Sequence, residues 1–252
     1  MKTALVIGAA SGIGLGLADA MEKVGFEVIR ADIAFTEENK NTKYVDGTNE
    51  ESIEKLRMFF QENSIVLDCL IITIGAIDEG NISDYQATNL SWMIDVNLLT
   101  NYRLIQQFIP YLKESQRPRI LLTGSAAGLG SFDNTYNLMP YIVSKHALYG
   151  FFKAINHDLS KEGIQVSLFL PNRVKGRLSE NSKNMREKFL HENCKTPIGV
   201  QTANDLADPY TIALDVVEKF LSGKTYISNN PQMIIDKLLK ELSKIKKDLL
   251  DE

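Results

Sequence analysis

The chain alternates short runs of β-branched and aliphatic residues with longer segments in which apolar residues recur at every third or fourth position. The short runs predict strands and the longer segments predict helices. We expect strands at Thr3–Ile7, Glu27–Ala31, Val66–Ile74, Arg119–Thr123, Ile164–Leu170 and Thr225–Ser228, with a further short strand at Tyr44-Val45. We expect helices at Gly12–Gly25, Glu50–Gln61, Asn89–Lys113, Pro140–Lys161 and Asn204–Leu221.

Several predicted strands, such as Val166–Leu170, are apolar on both faces. This pattern is typical of a parallel sheet that helices cover on each side. The order of elements therefore predicts a doubly wound, mostly parallel sheet in a three-layer α/β/α fold. Because no internal repeat or low-complexity linker divides the chain, we expect a single domain over residues 1–252.

Two segments depart from the strand–helix order. Residues 172–201 are polar and follow a predicted strand, which is typical of a substrate lid or of a solvated excursion. Residues 231–250 predict a C-terminal helix with lysines on its polar side. That helix is expected to pack on the domain or on another subunit.

Composition and charge narrow the set of partners. The 252 residues carry 28 Lys+Arg and 32 Asp+Glu, a net charge of −4, which gives no overall attraction for nucleic acid or an anionic membrane. The basic residues of the lid segment are mixed with acids and lack interleaved aromatics, so they do not indicate a nucleic-acid surface. Cys69, Cys194 and the three histidines show no disulfide or metal spacing. We therefore expect a cytoplasmic protein with a small-molecule partner and no metal.

A glycine-rich turn joins the first predicted strand to the first predicted helix. Gly8 permits a sharp turn, Gly12 lets backbone N–H groups approach a phosphate, and Gly14 lets the helix pack closely on the sheet. An ordinary βα turn is the alternative. The strand before the motif and the helix after it favour a dinucleotide site.

Asp32 closes the second predicted strand, 18 positions after Gly14, where an acid can accept the hydroxyls of the adenosine ribose of NAD. It would also repel a 2′-phosphate, since two like charges about 4 Å apart at an effective dielectric near 20 repel by about 4 kcal/mol. NAD(H) is therefore favoured over NADP(H). A solvated strand-end acid is the alternative, and Arg30 could offset the discrimination. Asp46 is a candidate for the adenine amino group or a turn former.

Tyr141 and Lys145 stand four positions apart, so they share one face of the predicted helix. A nearby ammonium favours the phenolate, which would make Tyr141 a general acid or base. Ser125 follows a predicted strand, at the sheet edge where ligands bind in open α/β folds. A hydroxyl there can hydrogen-bond the oxygen of a reacting carbonyl. Taken alone, each of these features is also found in surface pairs and turns.

Together these residues resemble the short-chain dehydrogenase/reductase family over nearly the whole chain. The resemblance is carried, in family order, by Gly8-x-x-x-Gly12-x-Gly14, Asp32, Asp46, Asn97, Ser125, Tyr141 and Lys145. It implies a Rossmann fold, a homodimer or homotetramer, and hydride transfer between a nicotinamide cofactor and an alcohol or carbonyl substrate.

The resemblance also implies roles for single residues. Tyr141 would donate or accept the proton, Ser125 would orient the substrate oxygen, Lys145 would bind the nicotinamide ribose and lower the tyrosine pKa, and Asn97 would support a water-linked proton relay. The residues expected at the cofactor are Gly8, Ser11, Gly12, Ile13, Gly14, Asp32, Asp46, Gly47, Gly75, Tyr141, Lys145, Pro171 and Val174.

Three segments differ from the family pattern. Ile7 stands where a threonine is usual, and Ile72-Thr73-Ile74-Gly75 replaces Asn-Asn-Ala-Gly, which predicts a weaker link between the turn and the sheet. Pro171-Asn172 and Gly176 replace Pro-Gly and a later threonine, which leaves the nicotinamide orientation less determined. These differences keep open a second hypothesis, an NAD(H)-binding sensor or assembly module with weak or no catalysis. Substrate specificity is expected at residues 132–139 and in the stretch after Pro171.

Overall fold

The computed structural model describes residues 2–130, 137–191, 194–195 and 206–250. The strands in these ranges are β1 Lys2–Ile7, β2 Phe26–Asp32, β3 Thr42–Tyr44, β4 Cys69–Ile72, β5 Arg119–Thr123, β6 Gln165–Phe169 and β7 Tyr226–Ile227. The helices are α1 Gly12–Lys23, α2 Glu50–Glu62, α3 Ala87–Ile94, α4 Thr100–Lys113, α5 Met139–Ser160, α6 Leu178–Leu190, α7 Pro209–Leu221 and α8 Pro231–Leu250.

The described strands form one parallel sheet in the order β3-β2-β1-β4-β5-β6-β7. The chain runs outward from β1 to β3, crosses back to place β4 beside β1, and then continues to β7. In such a sheet a ligand crevice opens outside the carboxyl ends of the strands, where the order reverses. The predicted doubly wound parallel sheet is confirmed.

The two faces of β1 belong to different apolar clusters. Leu5 lies in a cluster with Phe108, on the side covered by α2, α4 and α5. Val6 packs with Leu17 and Phe220, on the side covered by α1 and α7. Burial on both faces explains why the predicted strands are apolar throughout rather than alternating.

Two predicted elements differ from the observed ones. β4 is shorter at both ends than the predicted Val66–Ile74. Just before it, the Asp68 carboxylate accepts the Thr3 N–H (2.8 Å) and the Ser115 hydroxyl (2.6 Å). The predicted helix Asn89–Lys113 begins at Ala87 and is interrupted by a π-helical turn at Asp95–Leu99. Neither Gly nor Pro marks that interruption in the sequence.

Both segments that depart from the alternation of strands and helices contain a helix. The polar segment 172–201 contains α6, and its residues 192–193 and 196–201 lie outside the described part of the chain. The helix predicted at residues 231–250 is observed with those bounds as α8. Among the described residues, none of the helices combines the length and the apolar character needed to cross a membrane.

The glycine turn after β1 leaves no room for side chains. Gly8 has φ of +89°, a conformation that strains other residues, and a Cβ on Gly14 would lie 2.0 Å from the Gly8 carbonyl oxygen. The close approach of α1 to the end of β1 therefore depends on glycine at both positions.

Replacing Gly14 with alanine is expected to lower the free energy of unfolding by about 2 kcal/mol or more, because backbone must move to admit the methyl group. Gly150 in α5 is the matched control, since a Cβ there meets nothing within 4 Å. Gly150→Ala should raise stability by about 0.5–1 kcal/mol through helix propensity. Urea denaturation of both variants measures the difference, and equal stability of the Gly14 variant and the wild type would contradict the close approach.

Candidate active site

A cleft of about 1340 Å³ opens at the carboxyl ends of the strands. The residues predicted at the cofactor all line it: Gly8, Ser11, Gly12, Ile13, Gly14, Asp32, Asp46, Gly47, Gly75, Tyr141, Lys145, Pro171 and Val174. Ser125 lines it as well, whereas Asn97 lies behind its wall. Thus the structure brings together residues that are more than 160 positions apart in the chain.

The glycine turn and the start of α1 form one end of the cleft. Ser11 precedes the helix, and its side chain makes no capping hydrogen bond to the first turn of α1. The first-turn N–H groups of a helix carry partial positive charge and bind phosphate oxygens. A Cβ on Gly12 would lie 3.9 Å from Gly176 Cα, so the segment after β6 passes beside this turn.

Thr73 links the glycine turn to the sheet. Its hydroxyl lies 2.8 Å from the Ile7 carbonyl oxygen and 3.2 Å from that of Gly8. Its backbone N–H also donates to the Ile7 carbonyl, at 2.8 Å. The turn and the sheet are therefore linked through the threonine side chain, and the prediction that this link is weaker than with an asparagine stays a prediction.

The Asp32 carboxylate helps to shape the turn. Its two oxygens accept the N–H groups of Ala10 and Ala34, each at 2.9 Å. Arg30 is not available to balance the charge of Asp32, because it is held by Asp19 (2.7 Å) and Glu22 (2.9 Å) of α1. An acid fixed by two backbone N–H groups thus lies at the edge of the cleft.

Asp46 and Gly47 line the next part of the cleft wall. Asp46 Oδ1 accepts both the backbone N–H (3.0 Å) and the hydroxyl (2.7 Å) of Thr48, so this oxygen forms a turn. A Cβ on Gly47 would lie 2.3 Å from Thr100 Cγ2. The backbone here is close-packed on the start of α4.

Tyr141 and Ser125 meet at the other end of the cleft. Tyr141 lies on the first turn of α5, and Ser125 follows β5. Both side chains line the cleft, Ser125 opposes the effect of burial on the pKa of the Tyr141 phenol, and Ser125 Oγ accepts the Ala127 N–H at 3.0 Å. A phenol and a hydroxyl therefore converge where a substrate oxygen can receive hydrogen bonds from both.

Lys145 lies one helical turn after Tyr141 and is 5 % exposed. Its ammonium donates to the Thr123 carbonyl at 3.3 Å, and a Cβ on Gly75 would approach Nζ to 3.3 Å. Burial lowers the pKa of Lys145 to about 8. A side chain at Gly75 would thus crowd the charged group.

Burial raises the pKa of the Tyr141 phenol, and the hydrogen bond with Ser125 opposes that shift only in part. Lys145 Nζ lies 5.8 Å from the ring centroid and does not reverse the direction. Among the groups of the chain itself, desolvation therefore has the largest effect on the pKa of Tyr141. The expected lowering by Lys145 together with the positive ring of an oxidised nicotinamide stays a prediction.

Asn97 holds together two segments of the cleft wall near Lys145. In the π-helical turn its side chain accepts the Ala76 N–H (2.7 Å) and donates to the Ala76 carbonyl (2.9 Å). The same amide nitrogen donates to Ser144 Oγ at 2.8 Å. The side chain therefore ties the loop that follows β4 to α5, while the Asn97 carbonyl accepts from Asn101.

Three comparisons with known proteins agree with this geometry. A family model described as short chain dehydrogenase matches residues 2–187. The chain belongs to this family.

The relatives that match this member of the short chain dehydrogenase family are distant. An uncharacterized oxidoreductase of Staphylococcus aureus strain MW2 is 28% identical over 183 residues, which are 69% of this chain and 78% of the relative. A 3-oxoacyl-[acyl-carrier-protein] reductase of Rickettsia felis is 22% identical over 93% of this chain and 98% of its own.

Among solved structures, a short chain dehydrogenase/reductase from Burkholderia phymatum in complex with NAD has a TM-score of 0.82. The two chains are 19% identical, and the match covers 100% of this chain and 95% of that one. The likeness shows the Rossmann-like fold. Family membership makes the protein an oxidoreductase that transfers hydride with a nicotinamide cofactor.

The cleft fits the nicotinamide cofactor of this family. The hydroxyls of Thr100 and Thr123 are buried, line the cleft, and have no hydrogen-bond partner within the described part of the chain. Buried polar groups of this kind are satisfied when a ligand supplies the partner. In the described ranges, no group of three or more His, Cys, Asp or Glu side chains is placed to bind a metal.

Helix α6 is anchored over the cleft by contacts that the sequence did not reveal. Asp78 is 1 % exposed, accepts the Tyr85 hydroxyl at 2.7 Å, and forms an ion pair with Arg186 of α6. Ser182 of α6 accepts the Ile77 N–H at 2.9 Å. The two contacts with α6 join residues 105 and 108 positions apart, so no local pattern predicts them.

Part of the predicted substrate wall is not described. In the segment 132–139, residues 132–136 lie outside the described residues, whereas Asn137 and Leu138 line the cleft. The Asn137 carbonyl accepts the Gly80 N–H at 2.6 Å, so this segment meets the loop after β4.

Replacing Lys145 with methionine is expected to stabilise the fold at pH 7 by up to about 3 kcal/mol. The pKa falls from 10.5 to about 8, and each pKa unit corresponds to about 1.4 kcal/mol. The unfolded chain binds more protons than the folded one between these two values. The stability of the wild type should therefore rise with pH from about 8 to about 10.5.

Urea unfolding of Lys145→Met and the wild type at pH 7 and pH 10 measures this effect, and the difference should shrink at the higher pH. Lys153→Met, at an exposed position of the same helix, should change stability little at either pH. A Lys145 variant that is less stable than the wild type at both pH values would contradict the cost of burying the charge.

Proposed function

We propose that the protein is an alcohol dehydrogenase or carbonyl reductase in which Tyr141 is the general acid and base. The observation that carries the proposal is that Tyr141, Ser125 and the buried Lys145 line one cleft together with the glycine turn. These three side chains are the groups that proton transfer to a carbonyl oxygen requires.

When bound, the reduced nicotinamide supplies a hydride to the substrate carbon. The hydroxyl of Ser125 donates to the carbonyl oxygen and orients it, while Tyr141 transfers its proton to that oxygen as the carbonyl becomes an alcohol. The Lys145 ammonium, held against the Thr123 carbonyl, stabilises the phenolate that remains. Oxidation of an alcohol is the reverse, with the phenolate accepting the proton.

The raised pKa of Tyr141 bears on the protonation state of the phenol, whereas the ratio of oxidised to reduced cofactor sets the direction of the reaction. A protonated phenol is the form that donates to a carbonyl oxygen, and burial keeps Tyr141 in that form at neutral pH. Oxidation needs the phenolate, which a second positive charge near the ring favours. The oxidised nicotinamide carries such a charge.

The predicted cofactor preference stays a proposal: NAD(H) is favoured over NADP(H). Asp32 is held at the cleft edge by two backbone N–H groups, so it cannot swing away from a 2′-phosphate without losing both. Arg30, the nearest candidate to balance it, is engaged by two acids of α1.

We further propose that the chain is one dinucleotide-binding domain in which α6 serves as the substrate lid. Met185 of α6 and Leu138 pack on the cluster that contains Tyr141, so apolar side chains surround the phenol. This wall fits a small alcohol or carbonyl compound. The Asp78–Arg186 ion pair supports a lid that closes against the loop after β4.

Replacing Tyr141 with phenylalanine is expected to lower kcat by at least 10²-fold, because general acid–base catalysis of this kind contributes about 10²–10⁴. NADH binding, followed by fluorescence, should be unchanged. Tyr102→Phe, at an exposed tyrosine of α4, is the matched control and should keep full activity. Turnover that survives the Tyr141 change would exclude this residue as the general acid and base. NADH binding by the wild type without turnover of any compound in a broad carbonyl panel would favour the sensor hypothesis.

Fluorescence titration should show tighter binding of NADH than of NADPH. The repulsion of about 4 kcal/mol sets an upper limit near 10³-fold for the ratio of the two dissociation constants, that of NADPH over that of NADH. Asp32→Asn should narrow the ratio, since it removes the charge and keeps one acceptor oxygen. Asp215→Asn, at an exposed acid of α7, should leave it unchanged. Tighter binding of NADPH by the wild type would overturn the role of Asp32.

A further inference from the structure

Helix α8 exposes an unusual amount of apolar surface. Of its 20 residues, Ile234 is buried, whereas a set of large apolar side chains is 42–76 % exposed. The set consists of Ile235, Leu238, Leu239, Leu242, Ile245, Leu249 and Leu250. A face of this size marks an interaction surface rather than the scattered apolar residues found on every protein.

Five of these residues follow a strict spacing. Ile235, Leu238, Leu242, Ile245 and Leu249 are separated by three, four, three and four positions. This is the alternation of the a and d positions of a heptad, which forms the seam of a coiled coil. We call these five residues the α8 seam.

We propose that the α8 seam pairs in parallel with the α8 seam of a second copy of this chain. Parallel pairing places each g position opposite the e position of the following heptad in the partner helix. In α8 these positions hold Glu241 and Lys246. Two identical helices therefore form two oppositely charged pairs across the seam, one on each side.

Antiparallel pairing lacks this complementarity. It places g positions opposite g positions, and both g residues in this part of the helix, Glu241 and Asp248, are acids. Like charges at these flanking positions oppose association. The charge pattern thus selects the parallel arrangement, with a two-fold axis along the seam.

The helix is less suited to a lipid surface. Residues 231–250 contain no Trp, Tyr or Phe, which are common on the apolar face of membrane-surface helices. Lys246 lies beside the seam, close to Leu239 and Leu242, where a partner's acid can pair with it. A membrane surface is kept as an outcome of the test.

Pairing also bears on the cleft. Met233 and Lys237, at the start of the same helix, line it, and a Cβ on Gly130 would lie 2.9 Å from the Lys237 carbonyl oxygen. The start of α8 is therefore packed closely against the body of the protein, so a partner on the seam would hold this wall of the cleft in place.

Cysteine cross-linking of the full chain tests the proposal. In a Cys194→Ser background, where Cys69 is buried, Ile245→Cys places a thiol at a d position and Ser243→Cys places one on the outer side. Mild oxidation should convert most of the Ile245→Cys chain to a disulfide-linked dimer and little of the Ser243→Cys chain. Equal cross-linking of the two, or none in either, would overturn the proposal.

Charge exchange tests the parallel arrangement. Glu241→Lys and Lys246→Glu should each reduce cross-linking of Ile245→Cys several-fold, and the double exchange should restore it. Two single exchanges without effect would overturn the parallel pairing.

Substitution at the seam tests its part in assembly. Leu242→Glu should lower the mass measured by light scattering, whereas Ser243→Glu, with the same change of charge, should not. Because the leucine is 61 % exposed within one chain, the variant should keep the circular dichroism spectrum of the folded wild type. If the mass is unchanged and the wild type instead sediments with phosphatidylserine vesicles in a Leu242-dependent way, the seam is a membrane surface and the proposal fails. None of these readouts depends on the proposed activity.

Discussion

The burial of the Lys145 ammonium beneath the strand ends is the constraint on which the site depends. A charge in this position is costly, and the lowered pKa of about 8 is the measure of that cost. The Thr123 carbonyl compensates a part of it, and Gly75 leaves the space that the ammonium needs. The remaining cost is uncompensated in the described contacts, and in the proposed mechanism it places a positive charge beside the acid.

The surroundings of Lys145 are themselves held by polar contacts. Asn97 fixes Ala76 on one side and Ser144 on the other, and the π-helical turn brings its side chain to that place. A π-helical turn inserted in a helix is often found at functional sites. Here it positions the wall of the cleft, so a residue outside the cleft controls the geometry inside it.

A side chain of the site that bonds backbone atoms can be replaced by another side chain that reaches the same atoms. Thr73 stands where the family has asparagine, yet its hydroxyl reaches the Ile7 and Gly8 carbonyls. The glycine turn is less tolerant, because a Cβ on Gly14 would overlap the backbone of Gly8.

The sequence by itself determined the sheet, the glycine turn and the Tyr141–Lys145 pair, because these depend on local periodicity, on short spacing and on single residue types. It also indicated the bounds of α8. The tertiary structure decided the contacts between distant segments, such as Asp78 with Arg186 of α6 and Asn97 with Ala76. It also decided the direction of the Tyr141 pKa, since desolvation depends on everything packed around the phenol, and the four-residue spacing from Lys145 does not show how deeply the phenol is buried.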